Sequence, residues 1–205
     1  MDDVDKFFFC VEDSVSLFFF WGDWILFHSF VPLYKIIQKD MIEIADAALR
    51  KAAGEGMDAF IQVFTDKYRE VIGGEPAAET MALLTGEQHT LLAYQLFREE
   101  VMDGGFCQLI QNGYGGYIFG NPFAKVMRLW GAEDFSKLVY KAKKIYDAHR
   151  EDLERERTDD EFMAMYEQYE EFDDLEDEFL ESEEEITALI ASYVDEHLEL
   201  FARIV

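Results

Sequence analysis

Residues 57–74 read MDAFIQVFTDKYREVIGG, and their spacing decides the fold class. Met57, Phe60, Ile61, Phe64, Tyr68 and Val71 fall at i, i+3, i+4, i+7, i+11 and i+14, the period of one buried stripe on an α-helix. Gly73 and Gly74 then end the helix, because glycine enters the left-handed conformation of a helix end without a Cβ clash.

The same logic extends along the chain. Thr85 and Gln88 form a capping box, in which hydroxyl and amide satisfy free backbone N–H groups at a helix start. Tyr94, Phe97 and Val101 continue that helix at i, i+3, i+7, and Asp103-Gly104-Gly105 marks a stop or a bend. NGYGGYIFGNP, residues 112–122, reads as the one clear loop, with Asn121 capping the next helix and Pro122 in its first turn. That short helix ends near Gly131, and a longer one runs from about Glu133 into the 150s with Leu138, Ala142, Ile145 and His149 on one face. Thr158 with Glu161 forms a second capping box, ahead of a stripe through Phe162, Met165, Tyr166, Tyr169, Phe172 and Phe179. Ser182 with Glu185 forms a third, ahead of Ile186, Leu189, Ile190, Tyr193 and His197. Alternating strand patterns are essentially absent. The expected architecture is all-α, a single compact helical domain of roughly seven to nine helices over residues 41–205.

Composition agrees. The 205 residues are 50% apolar and 16% aromatic, enough for a real core, and only 3 Pro and 13 Gly interrupt them. The two cysteines, Cys10 and Cys107, lie far apart and form no CxxC pair, so a disulfide scaffold or zinc ribbon is not expected and a reducing cytoplasm is the default location.

Residues 1–40 differ from the rest. They hold 8 of the 19 Phe and two of the three Trp, yet their longest uncharged run, Trp24 to Tyr34, is 11 residues, too short to span a bilayer. Asp2, Asp3 and Asp5 stand where a secretory signal needs basic residues. The segment reads as a hydrophobic extension, with two alternatives open: it docks on the domain, or it is upstream sequence before a natural start at Met41.

The net charge is −26, from 44 acids against 18 bases. Such an excess argues against direct binding to nucleic acid or to an anionic membrane, and it favours basic partners. Residues 151–185 alone hold 19 acids and 2 bases. Within them EEFDDLEDEFLESEEE, residues 170–185, carries 11 acids in 16 positions. As a helix that run spans roughly 24 Å, about one charge per 2.2 Å, against about one per 1.7 Å along duplex DNA. Glu167, Glu170, Glu171, Asp174, Glu178, Glu181 and Glu185 share one helical stripe, a candidate surface for the Lys/Arg face of a DNA-binding protein. The alternative is a solvated face that serves solubility alone.

Other chemistry finds little support. Carboxylates on a straight helix diverge rather than converge on a cation, no DxDxDG loop is present, and no His has Glu three residues before it, so no metal site is expected. Cys107 sits in an apolar helical context without an activating base. Gly104-Gly105 lacks any phosphate-loop pattern and reads as a close helix approach or a turn. The Tyr114–Tyr117 loop reads as a turn with aromatic anchors or as a ligand lip.

The segment FREEVMDGGFCQLIQNGYG, residues 97–115, resembles a bacterial DNA-mimic protein family. Phe97, Glu99, Glu100, Gly104, Gly105, Phe106, Gln108 and Asn112 carry the resemblance, which continues to Trp130-Gly131-Ala132. It implies an all-helical, often dimeric domain with no known enzymatic activity, and a founding member that displays a DNA-like charge pattern and blocks a transcription factor. The expectation is therefore a non-enzymatic cytoplasmic protein without cofactor, whose acidic stripe meets a basic protein such as a transcription factor or nucleoid protein. The alternative is a structural or small-ligand-binding helical domain with a groove near 104–117.

Overall fold

A computed structural model describes residues 42–205, so the hydrophobic extension at 1–40 lies outside the described residues. The chain enters through β1 (Glu43–Ile44) and passes through α1 (Asp46–Glu55) and α2 (Met57–Ile72), then a 3-10 turn at Met81–Leu83. The long α3 (Gly86–Gln111) leads to α4 (Gly115–Phe119), α5 (Phe123–Leu129) and α6 (Glu133–Leu153). α7 (Asp159–Gln168), a 3-10 turn at Glu170–Phe172, α8 (Asp173–Glu196), α9 (Leu198–Phe201) and β2 (Arg203–Ile204) complete it. The expected helical class holds, with nine α-helices among the described residues.

α2 buries Phe60, Ile61, Phe64, Thr65, Tyr68 and Ile72 and ends at Gly73 in the left-handed conformation. Met57 and Val71, assigned to this stripe from sequence, are exposed. They are the first and penultimate residues of the helix, where the stripe runs out into solvent, and Ile72 carries burial into the last turn. α3 starts at the expected capping box: Thr85 Oγ1 accepts from the Gln88 N–H at 3.3 Å, and Gln88 Oε1 accepts from the Thr85 N–H at 2.9 Å. Most of α3 is buried, as expected of a central helix apolar on nearly all sides.

Phe97 on α3 is the hub of the core. Its ring meets Phe106, Phe123, Phe135 and Phe179 with centroids 5.6, 6.1, 5.1 and 5.0 Å away, so one side chain ties α3 to α5, α6 and α8. Phe106 stacks on Phe172 at 5.0 Å, which extends the cluster to the turn before α8. The first and last elements of the described residues lie side by side: β1 and β2 pair in parallel, Glu43 with Arg203 and Ile44 with Ile204.

Five local expectations are corrected. Residues 112–122 are not one loop, since α4 forms within them. Pro122, not Asn121, is the N-cap of α5, and the Asn121 amide instead donates to the Tyr117 carbonyl at 2.9 Å. His149 is exposed, because α6 is non-helical there and Tyr146 fills the buried position. The stripe from Phe162 to Phe179 is broken: α7 stops at Gln168, Tyr169 leaves helical geometry, and α8 begins at Asp173. Ser182 caps nothing, since it lies mid-helix in α8 and its hydroxyl donates back to the Glu178 carbonyl at 2.7 Å.

α3 bends at Gly104-Gly105, where the helix interior is non-helical. Gly105 has φ 71°, and a Cβ there would stand under 3.0 Å from the Glu176 carboxyl group of α8. Gly104 has φ −155°, open to any residue, and a Cβ there would crowd the flexible end of Gln108. We therefore expect Gly105→Ala to cost about 2 kcal/mol and Gly104→Ala clearly less, read as the urea midpoint at unchanged slope.

Candidate partner-binding surface

α8 buries Leu175, Phe179, Glu183, Ile186, Thr187, Ile190, Ala191 and Val194. Its acids divide by helical phase. Asp174, Glu178, Glu181 and Glu185 recur at i, i+4, i+7 and i+11 on the exposed side, with Asp173, Asp177 and Glu184 flanking them. Glu176 and Glu183 point the other way. Glu176 Oε1 accepts from the Phe106 N–H at 2.7 Å, just past the α3 bend, and burial raises its carboxyl above the usual range. Glu183 is buried, pairs with the Arg98 guanidinium and accepts from the Thr187 hydroxyl at 2.8 Å. Arg98 reaches Asp58 of α2 at 3.0 Å, and the Tyr94 hydroxyl meets Thr187 Oγ1 at 2.6 Å. α8 is thus bolted to α2 and α3 through acids of the same run that elsewhere faces water.

A second anchor precedes it. Asp152, near the end of α6, accepts from the Tyr169 hydroxyl at 2.5 Å, Arg157 at 2.7 Å, Arg155 at 3.0 Å and the Gln168 amide at 3.1 Å. The Tyr169 hydroxyl foremost, then Arg157, holds its carboxyl far below the usual range. Glu154 pairs with Arg150 at 3.0 Å, Glu161 with Arg155 at 3.4 Å and Glu178 with Lys141 at 2.9 Å. Six of the 19 acids in 151–185 are engaged in these ways. The other thirteen are exposed and have no ion-pair or hydrogen-bond partner among the described residues: Glu151, Glu156, Asp159, Asp160, Glu167, Glu170, Glu171, Asp173, Asp174, Asp177, Glu181, Glu184 and Glu185.

All seven acids picked out from sequence are exposed, but they do not lie on one rod. Glu167 belongs to α7, Glu170 and Glu171 to the 3-10 turn, and the remaining four to α8. The break at Tyr169 sets α7 on its own axis. Glu176 and Glu183 were missed as inward-facing acids. For Glu183 the signal was present, since Phe172, Leu175, Phe179, Glu183, Ile186 and Ile190 form one i+3, i+4 series.

The 97–112 motif is occupied with the α3 bend. Phe97, Gly105 and Phe106 are buried. Glu100 accepts from the Gln108 amide at 3.1 Å and the Asn112 amide at 2.7 Å, and Gln108 also reaches Asp103 at 2.8 Å, so the polar residues lace the two halves of α3 together. The Arg69 guanidinium holds Glu99 at 2.5 Å. Cys107 is buried, and burial pushes its thiol up to about 12. A cavity of about 250 Å³ lies beside Tyr117, lined also by His89, Thr90 and Phe123. Both His89 ring nitrogens are taken, by the Tyr117 hydroxyl at 2.9 Å and the Met81 carbonyl at 2.8 Å. Among the described residues no three His, Cys, Asp or Glu are grouped to hold a metal ion, and no helix is long and apolar enough to cross a membrane.

Fold and surface together define an acidic, all-helical protein that displays its charge on ordered helices. The family model described as DMP19-like protein matches residues 82–197, from the turn before α3 to the end of α8. The chain is 34% identical over 127 residues, 62% of its own length and 77% of the relative's, to the DNA mimic protein DMP19 of Neisseria meningitidis serogroup B. This chain belongs to the DMP19-like protein family.

Inward and outward acids should respond oppositely to neutralisation. Glu183→Ala is expected to destabilise by about 2 kcal/mol in urea titrations, because Arg98 loses its buried partner and keeps only Asp58. Glu181→Gln should stay within about 0.5 kcal/mol of the parent or stabilise it, because it only relieves repulsion. Asp152→Asn should lower Tm at pH 7. A carboxyl with a depressed folded pKa stabilises above its unfolded value, about 3.9, and that contribution fades as pH falls below it. The Tm gap to the parent should therefore narrow on acidification below about pH 4.

Proposed function

We propose that this chain is a non-enzymatic DNA mimic whose α7–α8 acids occupy the DNA-binding surface of a basic protein. The observation that carries the reading is the division of acids in 151–185: thirteen stand exposed without a partner among the described residues, nine of them on α7 and α8, which buried side chains fix from behind. An idle solvated tail needs no such fixing, whereas a docking surface gains from rigidity, since less ordering entropy is lost on binding. The relative's name, DNA mimic protein, supports the same reading.

Physically, the exposed α8 row offers carboxylates every three or four residues, about 4.5–6 Å of rise. The phosphates of one DNA strand advance by about 3.4 Å along the helix axis. A groove of lysines and arginines shaped for DNA therefore meets comparable charge at comparable spacing and releases its counterions on contact. The partner class is a basic DNA-binding protein, a transcription factor or a nucleoid protein. Nucleic acid, membrane, metal and cofactor have no part in this reading, and a cytoplasmic location belongs to it.

The test is capture of purified basic DNA-binding proteins on the immobilised chain. Binding should be displaced by duplex DNA and should weaken steeply from about 0.1 M to about 1 M salt, over which the screening length falls from about 10 Å to about 3 Å. Combining Glu170→Gln, Glu171→Gln, Asp174→Asn and Glu181→Gln should weaken capture roughly tenfold or more at unchanged fold. Capture that persists in that variant, or that duplex DNA does not displace, sinks the proposal.

A further inference from the structure

The exposed face of α8 is not flat. Between its middle and the first turn of α6 lies a cleft of about 250 Å³. Phe135, Leu138 and Ile186 line it and are all buried, at 2, 1 and 5% exposure, so the floor is apolar. Leu189, 40% exposed, adds an apolar wall. Glu133, Asp134, Glu178 and Glu185 line the same cleft with carboxylates. The chain's own lysines already place ammonium groups on this lining: Lys137 Nζ lies 3.4 Å from Glu133 and 2.9 Å from Asp134, and Lys141 Nζ lies 2.9 Å from Glu178. Glu185 has no cation among the described residues.

An apolar floor with a carboxylate lining fits a side chain that is aliphatic along its stem and cationic at its tip. Bare acids on a convex helix would attract any cation equally. A stem entering here would contact Leu138, Ile186 and Leu189, while its head would reach Glu185 and compete with Lys141 for Glu178. Arginine suits this better than lysine: its guanidinium is flat, weakly hydrated and able to bridge two carboxylates. The internal lysine pairs are exposed, and such pairs hold by little, so an incoming arginine can displace them.

We propose that this α6–α8 cleft receives one arginine side chain of the basic partner and so sets the register in which the partner lies along α8. This rests on the reading given under Proposed function. A second apolar groove, lined by Ala53, Met57 and Ala188, has a single carboxylate, Asp195, and no comparable charge to select an occupant.

The probes are an octa-arginine peptide and an octa-lysine peptide, titrated into the full chain while side-chain methyl NMR signals are followed. Octa-arginine should bind at least about threefold more tightly than octa-lysine and shift the Leu138, Ile186 and Leu189 methyls more than that of Leu180, which does not line the cleft. Glu185→Gln should weaken octa-arginine binding at least about threefold more than the charge-matched Glu181→Gln. Leu189→Ala should reduce the preference for arginine, and Lys141→Ala should tighten binding more than Lys144→Ala, a charge-matched change outside the cleft. Equal affinity for the two peptides, or equal effects of Glu185→Gln and Glu181→Gln, overturns the cleft and leaves the broader acidic surface standing. Failure of both peptides to bind at low salt overturns the cleft and the functional reading together.

Discussion

The structure depends on one constraint: α8 must be held against its own repulsion. Nine exposed acids on one helix push outward on each other, and no exposed pairing among the described residues is strong enough to offset that alone. The restraint comes from behind, where Phe172, Phe179, Ile186, Ile190 and Val194 are withdrawn from water and Phe179 packs on the Phe97 hub. Arg98 completes it by neutralising Glu183 at the place where the run turns inward. Remove the apolar backing and the acids would favour an expanded chain. Keep it, and the same acids become an ordered display.

The two glycines of α3 serve the same arrangement. Gly105 lets α8 come close enough for Glu176 to accept a backbone N–H at the bend, a contact that any Cβ would block. The family motif and the acidic run, far apart in sequence, therefore meet in space. The motif shapes the bed, α8 lies in it, and the outward acids are the part left free to differ without disturbing the packing. Family membership covers the bed directly, since the matched residues run from the start of α3 to the end of α8.

Helical periodicity in α2, α3 and α6, the two capping boxes at Thr85 and Thr158, and the bend at Gly104-Gly105 were legible in the sequence because each is a local property. The failures were local patterns overruled by longer-range packing. Ser182-Glu-Glu-Glu185 has the letters of a cap, but a cap exists only where the preceding backbone is not already helical, and burial of Phe179 and Ile186 on one face carries α8 straight through. The break at Tyr169 was hidden because the hydrophobic period continues across it. It is fixed instead by the Tyr169 hydroxyl on Asp152, 17 residues earlier. The acidic surface was legible as composition, whereas its sorting into bolts and display needed the position of Arg98, 85 residues from Glu183. The cleft by α6 was invisible in sequence, because its floor and lining come from segments some 45 residues apart.

The pairing of β1 with β2 has a mechanical meaning. The strands run in the same direction, so tension applied at residue 42 and at Val205 pulls them lengthwise past each other. The Arg203 N–H to Ile42 carbonyl and Val205 N–H to Ile44 carbonyl bonds, 2.8 and 3.0 Å, are then loaded in shear and must rupture together rather than peel one by one. A short clasp of this geometry lets a domain under end-to-end traction, as from a processive unfolding motor, keep its ends joined until the load exceeds the strength of the whole set.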